Sequence, residues 1–141
     1  MLGVDLGSRR IGLAISDTTG TLATPLTVLQ RASRPALDHE AIVAAACEEN
    51  AQRIVVGLPR SLSGRDGPAA RSVRAEVAEL RALAGEDLPV ELHDERFTTV
   101  TATRNLREAG QRRLRESVDA AAAAVILQSY LDGPGRAGRT V

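Results

Sequence analysis

The periodicity of the chain changes once, at Pro35, and that change restricts the possible folds more than any other feature. Before it, residues 2–6, 11–16 and 22–29 read as three short extended segments, joined by the turn-like stretches GSRR and DTTG. This spacing predicts an antiparallel meander. After it, helical and extended patterns alternate. Pro35 opens an acidic, alanine-rich helix to about Asn50, and RIVVGLP is a short apolar strand stopped by glycine and proline. A helix runs from Pro68 to Ala84, and LPVELHDERF is a further strand ending in charges. Thr98 can cap a helix that reaches Ala109 and ends at Gly110, and a last helix spans about Ser117 to Leu131. The pattern predicts an α/β domain over residues 1–132, with a mixed five-stranded sheet and helices on both faces, and a flexible tail at 133–141.

Within the first strand, Asp5 is out of place. Leu2, Val4 and Leu6 fall on one face of an extended segment, and Gly3, Asp5 and Gly7 on the other. The glycines are expected to leave open space on both sides of the carboxylate. Without a partner, an ionised carboxylate on an inner strand costs several kcal/mol, so a cation is required. Two further acids belong to the same question. Asp119 lies in the first turn of the last helix, and Ala122, Ala123 and Ile126 follow it at helical spacing. It is therefore expected to point inward, a role as helix-dipole partner or cap being the alternative. The alanine run from Ala120 to Ala124 lets this helix approach the sheet closely. Glu95 ends the strand that begins near Pro89, where D-E-R also reads as ordinary solvated surface. Taken together, the three acids form a cluster that needs cations. Mg²⁺ or Mn²⁺, as a pair of ions, suits an all-oxygen site, and such a pair can activate water and stabilise the leaving oxygen in phosphodiester hydrolysis.

Composition removes some alternatives. Eighteen acidic and eighteen basic residues cancel, so net charge gives no argument for a nucleic-acid partner. Every basic residue is arginine, which excludes a Schiff-base lysine and a P-loop of the G-x-x-x-x-G-K-[ST] type. The single Cys47 sits among alanines and reads as a small buried hydrophobe in a reducing, cytoplasmic setting. The longest apolar run, Ala120 to Leu127, is far short of the ~18 residues of a membrane span. Charge is distributed unevenly: Arg104 to Arg115 holds five arginines and one glutamate, whereas residues 35–50 hold four acids and no arginine. Such asymmetry can orient a molecule on an RNA backbone, and Arg112 and Arg113 are the central candidates for phosphate contact.

The segments GVDLGSRRIGLAISD, IVVGLP, DERFTT and VDAAAAAVILQSYL occur in the order found in the YqgF/RuvX family, which the chain resembles from Leu2 to Asp132. The resemblance implies an RNase H-like fold, metal-dependent cleavage of nucleic acid, and 5′-end processing of the 16S ribosomal RNA precursor. It also implies Asp5, Glu95 and Asp119 as the acidic site, with Asp5 bridging two ions. The stretch GLPRSLSG departs from the family pattern, offering Arg60, Ser61 and Ser63, so substrate contacts are not expected there.

Other residues carry smaller expectations. Arg9 and Arg10 can hold a phosphate beside the metals, or be exposed turn arginines. Arg96 can clamp substrate or orient Glu95. His39 reads as exposed and inert, and His93, on the strand face of Glu95, as a residue able to serve the site. Asp17 reads as a turn former and Asp94 as solvent-exposed. Phe97 and Tyr130 are the only aromatics, which argues against extended base stacking. The partner is precursor ribosomal RNA or branched DNA, with no membrane, and the protein acts as a monomer or homodimer. A resolvase of Holliday junctions and a non-catalytic RNA-binding or transcription-associated module are the alternatives.

Overall fold

A computed structural model describes residues 1–61, 63–97 and 115–133. Five strands, β1 (Leu2–Leu6), β2 (Arg10–Ser16), β3 (Ala23–Gln30), β4 (Ile54–Leu58) and β5 (Val90–Asp94), form one sheet in the order β3-β2-β1-β4-β5. The first three make the expected antiparallel meander. Beyond it, β4 runs parallel to β1, and β5 parallel to β4. The described helices are α1 (Pro35–Glu48), α2 (Pro68–Ala84) and α3 (Arg115–Asp132). Among them, none is long and apolar enough to cross a membrane. Pro68 in the first turn and Gly85 immediately after the last residue fix the bounds of α2 as the sequence predicts.

Helices cover both faces of the sheet. On one face, Leu2, Val4, Ile54 and Val56 pack with Ile42 and Ala46 of α1 and Val73, Val77 and Leu80 of α2. On the other, Ala14 and Val55 pack with Ala123, Leu127, Tyr130 and Leu131 of α3. Covered on both sides, β4 is buried throughout, which is why its sequence is continuously apolar instead of alternating.

The glycines around Asp5 do not leave open space. A Cβ at Gly3 would lie 2.7 Å from Leu127 Cβ and 3.1 Å from the carbonyl oxygen of Ala123, because α3 lies directly on β1. At Gly7 it would lie 2.5 Å from the carbonyl oxygen of Arg10, inside the turn between β1 and β2. The missing side chains admit a helix and a turn. Gly12 of β2 has the same function: a Cβ there would overlap the backbone carbonyl of Asp119 and lie 3.1 Å from the nitrogen of Ala120.

Helix α1 corrects two expectations. Asp38, His39, Ile42 and Ala46 form its buried stripe, and Cys47 falls off that stripe and is exposed. His39 is 2% exposed instead of solvated. Its Nε2 meets Glu76 Oε1 at 3.0 Å, and the same carboxylate accepts two hydrogen bonds from Arg31, at 2.7 and 2.8 Å. Arg31 also pairs with Asp38 at 3.2 Å, and Asp38 in turn accepts the backbone N–H of Ala32. Burial pushes the Glu76 carboxyl up, but the hydrogen bonds from Arg31 and His39 outweigh it and hold the carboxyl below its ordinary value. This network fastens the end of β3 to α1 and α2. Glu76→Ala leaves the half-buried Arg31 guanidinium without its bidentate acceptor, and is expected to cost about 3 kcal/mol in urea unfolding.

Candidate active site

Because β1, β4 and β5 are parallel, Asp5, Gly57 and Asp94 all lie at their carboxyl ends. The ladder between β1 and β4 stops at Val4 and Val56, so the chains part where Asp5 and Gly57 follow. β5 ends at Asp94, and Glu95 begins a 3-10 turn, Glu95–Phe97, instead of extending the strand. That turn carries the Glu95 carboxylate back over the sheet. A Cβ at Gly57 would lie 3.0 Å from Glu95 Oε1 and 2.6 Å from Ile126 Cδ1, so glycine at this position makes room for the glutamate.

The third acid arrives from the other side. Asp5 pairs across the sheet with Gly12, and the first turns of α3 rest on Gly12. Asp119 is therefore held beside Asp5 and is partly buried, as its inward position in the helical pattern predicts. Its side chain is turned onto Arg10, whose Nε donates to Asp119 Oδ2 at 2.5 Å. Asp5 and Glu95 have no hydrogen bond or cation among the described residues. Burial, and then the charge of Asp119, push the Asp5 carboxyl up. Burial, then Asp5, then Asp94, push that of Glu95 up to about 7. The three predicted acids thus occupy one end of the sheet and repel one another. Among the described residues, no three His, Cys, Asp or Glu side chains converge closely enough to enclose a metal ion, and Asp119 is turned onto Arg10.

These shifts predict a pH dependence. A carboxyl whose folded-state value is raised contributes stability that is complete below its unfolded value and is lost as pH rises through the folded value. In buffer free of divalent cations, the melting temperature is therefore expected to fall as pH rises from 5 through about 7. Glu95→Gln should flatten that fall. An equally steep decline in the variant would place the titration elsewhere.

The surrounding residues fall into two groups. Arg10 meets Asp119, whereas Arg9 is exposed. Among the described residues the Arg96 guanidinium binds Asp94, with Nη2 to Oδ2 at 2.6 Å, and its backbone N–H meets Asp94 Oδ1 at 2.9 Å. Asp94 is not solvent-exposed, since Arg60 also reaches it at 3.3 Å. A strand-end acid between two arginines looks like surface in the sequence because Arg60 lies far from it along the chain. His93 is on the α3 side of β5, with Nε2 2.9 Å from Ser129 Oγ and its ring edge-on to Tyr130. Asp17 forms its turn, accepting from the N–H groups of Thr21 and Leu22. Arg112, Arg113 and Thr98 lie outside the described residues. A cavity of about 530 Å³, lined among others by Ile15, Asp17, Glu49 and Arg53, opens at the opposite end of the sheet from the acids. Gly12 and Gly57 are the positions that sequence reasoning passed over. Glycine inside an otherwise apolar strand was the available signal of a close approach.

Comparison with known proteins sets this arrangement in context. A family model described as "RuvX: Holliday junction resolvase" matches residues 1–133. A protein of Rhodococcus erythropolis (strain PR4) named "Putative pre-16S rRNA nuclease" is 45% identical over 141 residues, covering 96% of this chain and 79% of its own. One of the same name from Anaeromyxobacter sp. (strain Fw109-5) is 48% identical over 134 residues, covering 94% and 96%. Two solved structures of Thermus thermophilus RuvC, one of them in complex with Holliday junction substrate, superpose with a TM-score of 0.57. They are 15% and 18% identical and cover 97% of this chain. At that identity the likeness establishes the fold, which is RNase H-like.

Proposed function

The chain belongs to the RuvX family, and on that premise we propose that it is a divalent-metal-dependent nuclease that matures the 5′ end of precursor 16S ribosomal RNA, with Asp5, Glu95 and Asp119 as its catalytic carboxylates. One observation carries the reading of the site. Three acids far apart in the sequence gather at one end of the sheet, and two of them have neither a cation nor a hydrogen bond among the described residues.

The donors fit a hard divalent cation, Mg²⁺ or Mn²⁺, because they are all carboxylate oxygens. When bound, such ions lower the pKa of a coordinated water and stabilise the leaving oxygen of a phosphodiester. The other contributions belong to this chain. Asp5 stands on the central strand between the other two acids and would be a ligand of a bound ion together with them. Glu95 is held over Gly57 by the turn that follows β5. Asp119 is paired with Arg10 and would hold a metal ion in place of that arginine. A guanidinium so released would suit phosphate oxygens with its planar fork, and Arg9 stands beside it in the same turn. A precursor ribosomal RNA substrate places this work in the cytoplasm.

A second reading, resolution of Holliday junctions, has the family model's description and the junction-bound RuvC in its favour. One experiment separates the two. The protein is incubated with end-labelled 16S precursor leader RNA and with four-way junction DNA, in Mg²⁺, in Mn²⁺ and in EDTA. Cleavage of the leader that EDTA abolishes supports the RNA reading. Cleavage confined to the junction replaces it, and no cleavage of either substrate in both metals overturns the nuclease assignment.

A further inference from the structure

The loop after β4, where the sequence argued against substrate contact, carries an unusual charge arrangement. Arg60 Nε lies 3.1 Å from Asp66 Oδ1 and its Nη1 lies 3.3 Å from Asp94 Oδ2. Asp94 is also bound by Arg96, and Asp66 is also bound by Arg74. Arg71 Nη1 donates to the backbone carbonyl of Asp66 at 3.2 Å. Arg96 reaches back over the loop, with its Nη1 3.1 Å from where a Gly64 Cβ would stand. Arg65 projects from the same loop and has no acidic partner among the described residues. Three arginines therefore share two aspartates, and Arg65 and Arg71 add positive charge with no carboxylate of their own among the described residues.

Each of the two carboxylates is divided between two guanidiniums. Arg60 Nε is shielded from water and makes no well-aligned hydrogen bond. The exposed guanidiniums of Arg65, Arg71 and Arg74 surround the start of α2, where no side chain caps the free N–H groups at the positive end of the helix dipole. The surface adjoins the acidic site directly, since Asp94 precedes Glu95 and Arg60 follows Gly57 by three residues.

We propose that Arg60, Arg65, Arg71, Arg74 and Arg96 form a platform for the phosphodiester backbone of the RNA strand on the Glu95 side of the scissile bond. The platform rests on the nuclease reading above and adds to it a side on which the substrate lies. Asp94 positions Arg60 and Arg96 and Asp66 positions Arg60 and Arg74, whereas Arg65 and Arg71 are exposed and pair with no carboxylate among the described residues. Backbone phosphates are read as charge and spacing, so the platform gives affinity and register without choosing bases.

The test measures binding of fluorescent precursor 16S leader RNA in EDTA, where nothing is cut, across a range of salt concentrations. The exposed triple variant R65Q/R71Q/R74Q is expected to bind at least about tenfold more weakly than wild type at physiological salt. The slope of log K against log salt should fall in magnitude by about 2. The single reversal R65E, which breaks no described ion pair, should weaken binding in the same direction and serves if the triple variant melts early. Wild-type binding with unchanged affinity and slope in both variants overturns the platform and leaves the nuclease reading intact. Wild type that neither binds nor cleaves the RNA overturns both.

Discussion

Asp5→Asn is expected to lower the rate of RNA cleavage by at least about a thousandfold, equivalent to ~4 kcal/mol of transition-state stabilisation, while the protein stays folded. The size follows from position. Asp5 lies on the central strand between the other two acids, and asparagine would offer a divalent cation one neutral oxygen in place of a charged carboxylate. The fold should tolerate the change, because a half-buried carboxylate raised by burial and by Asp119 is unfavourable in the chain alone. In metal-free buffer at pH 8 the variant is therefore expected to melt at or above the wild-type temperature. Single-turnover cleavage and a thermal melt measured on the same preparation check both halves. A variant that keeps within tenfold of the wild-type rate would remove Asp5 from the catalytic set.

Gly12→Val acts through distance instead of charge. A Cβ at this position overlaps the carbonyl of Asp119, and the atoms that would have to yield are backbone atoms of α3 that cannot rotate away. The helix must retreat from the sheet by an ångström or more, opening the packing of Ala123 and Leu127 against β1 and β4. Overpacking of this kind costs ~1–3 kcal/mol and here falls at the upper end or beyond, because the obstacle is main chain. A displacement of ~1 Å also costs about a hundredfold in rate when the moved group is catalytic. The expected result is a lower denaturation midpoint together with an activity loss that survives at temperatures where the variant is folded. Gly12→Ala should show both effects more weakly. Unchanged stability in both variants would mean that α3 does not rest on Gly12.

Most elements could be read from the sequence because local chemistry decides them. The proline and glycine that bound α2, the two turns of the meander and the continuous apolar run of β4 each act within a few residues. The larger errors involve partners distant in the chain, whereas Cys47 merely falls off the buried stripe of its own helix. His39 looks exposed until Glu76 of α2 is placed beside it, and Asp94 looks exposed until Arg60 folds over it. The glycines of the first strand signal the absence of side chains, but not that a helix from the far end of the sequence fills the gap. The three acids stand out in the sequence for the opposite reason. A charge on an inner strand and another on an apolar helix face each violate the local pattern, and such violations concentrate where function overrides stability.

Arg10 and Asp119, which meet across the site, are 109 residues apart in the chain. Synthesis at ~5–20 residues per second separates their appearance by roughly 5–20 s. Throughout that interval the first strand already carries Asp5, but the helix that completes the carboxylate set does not yet exist. A nascent chain that has not passed the start of α3 therefore holds Asp5 and Glu95 without Asp119, and Arg10 without its carboxylate.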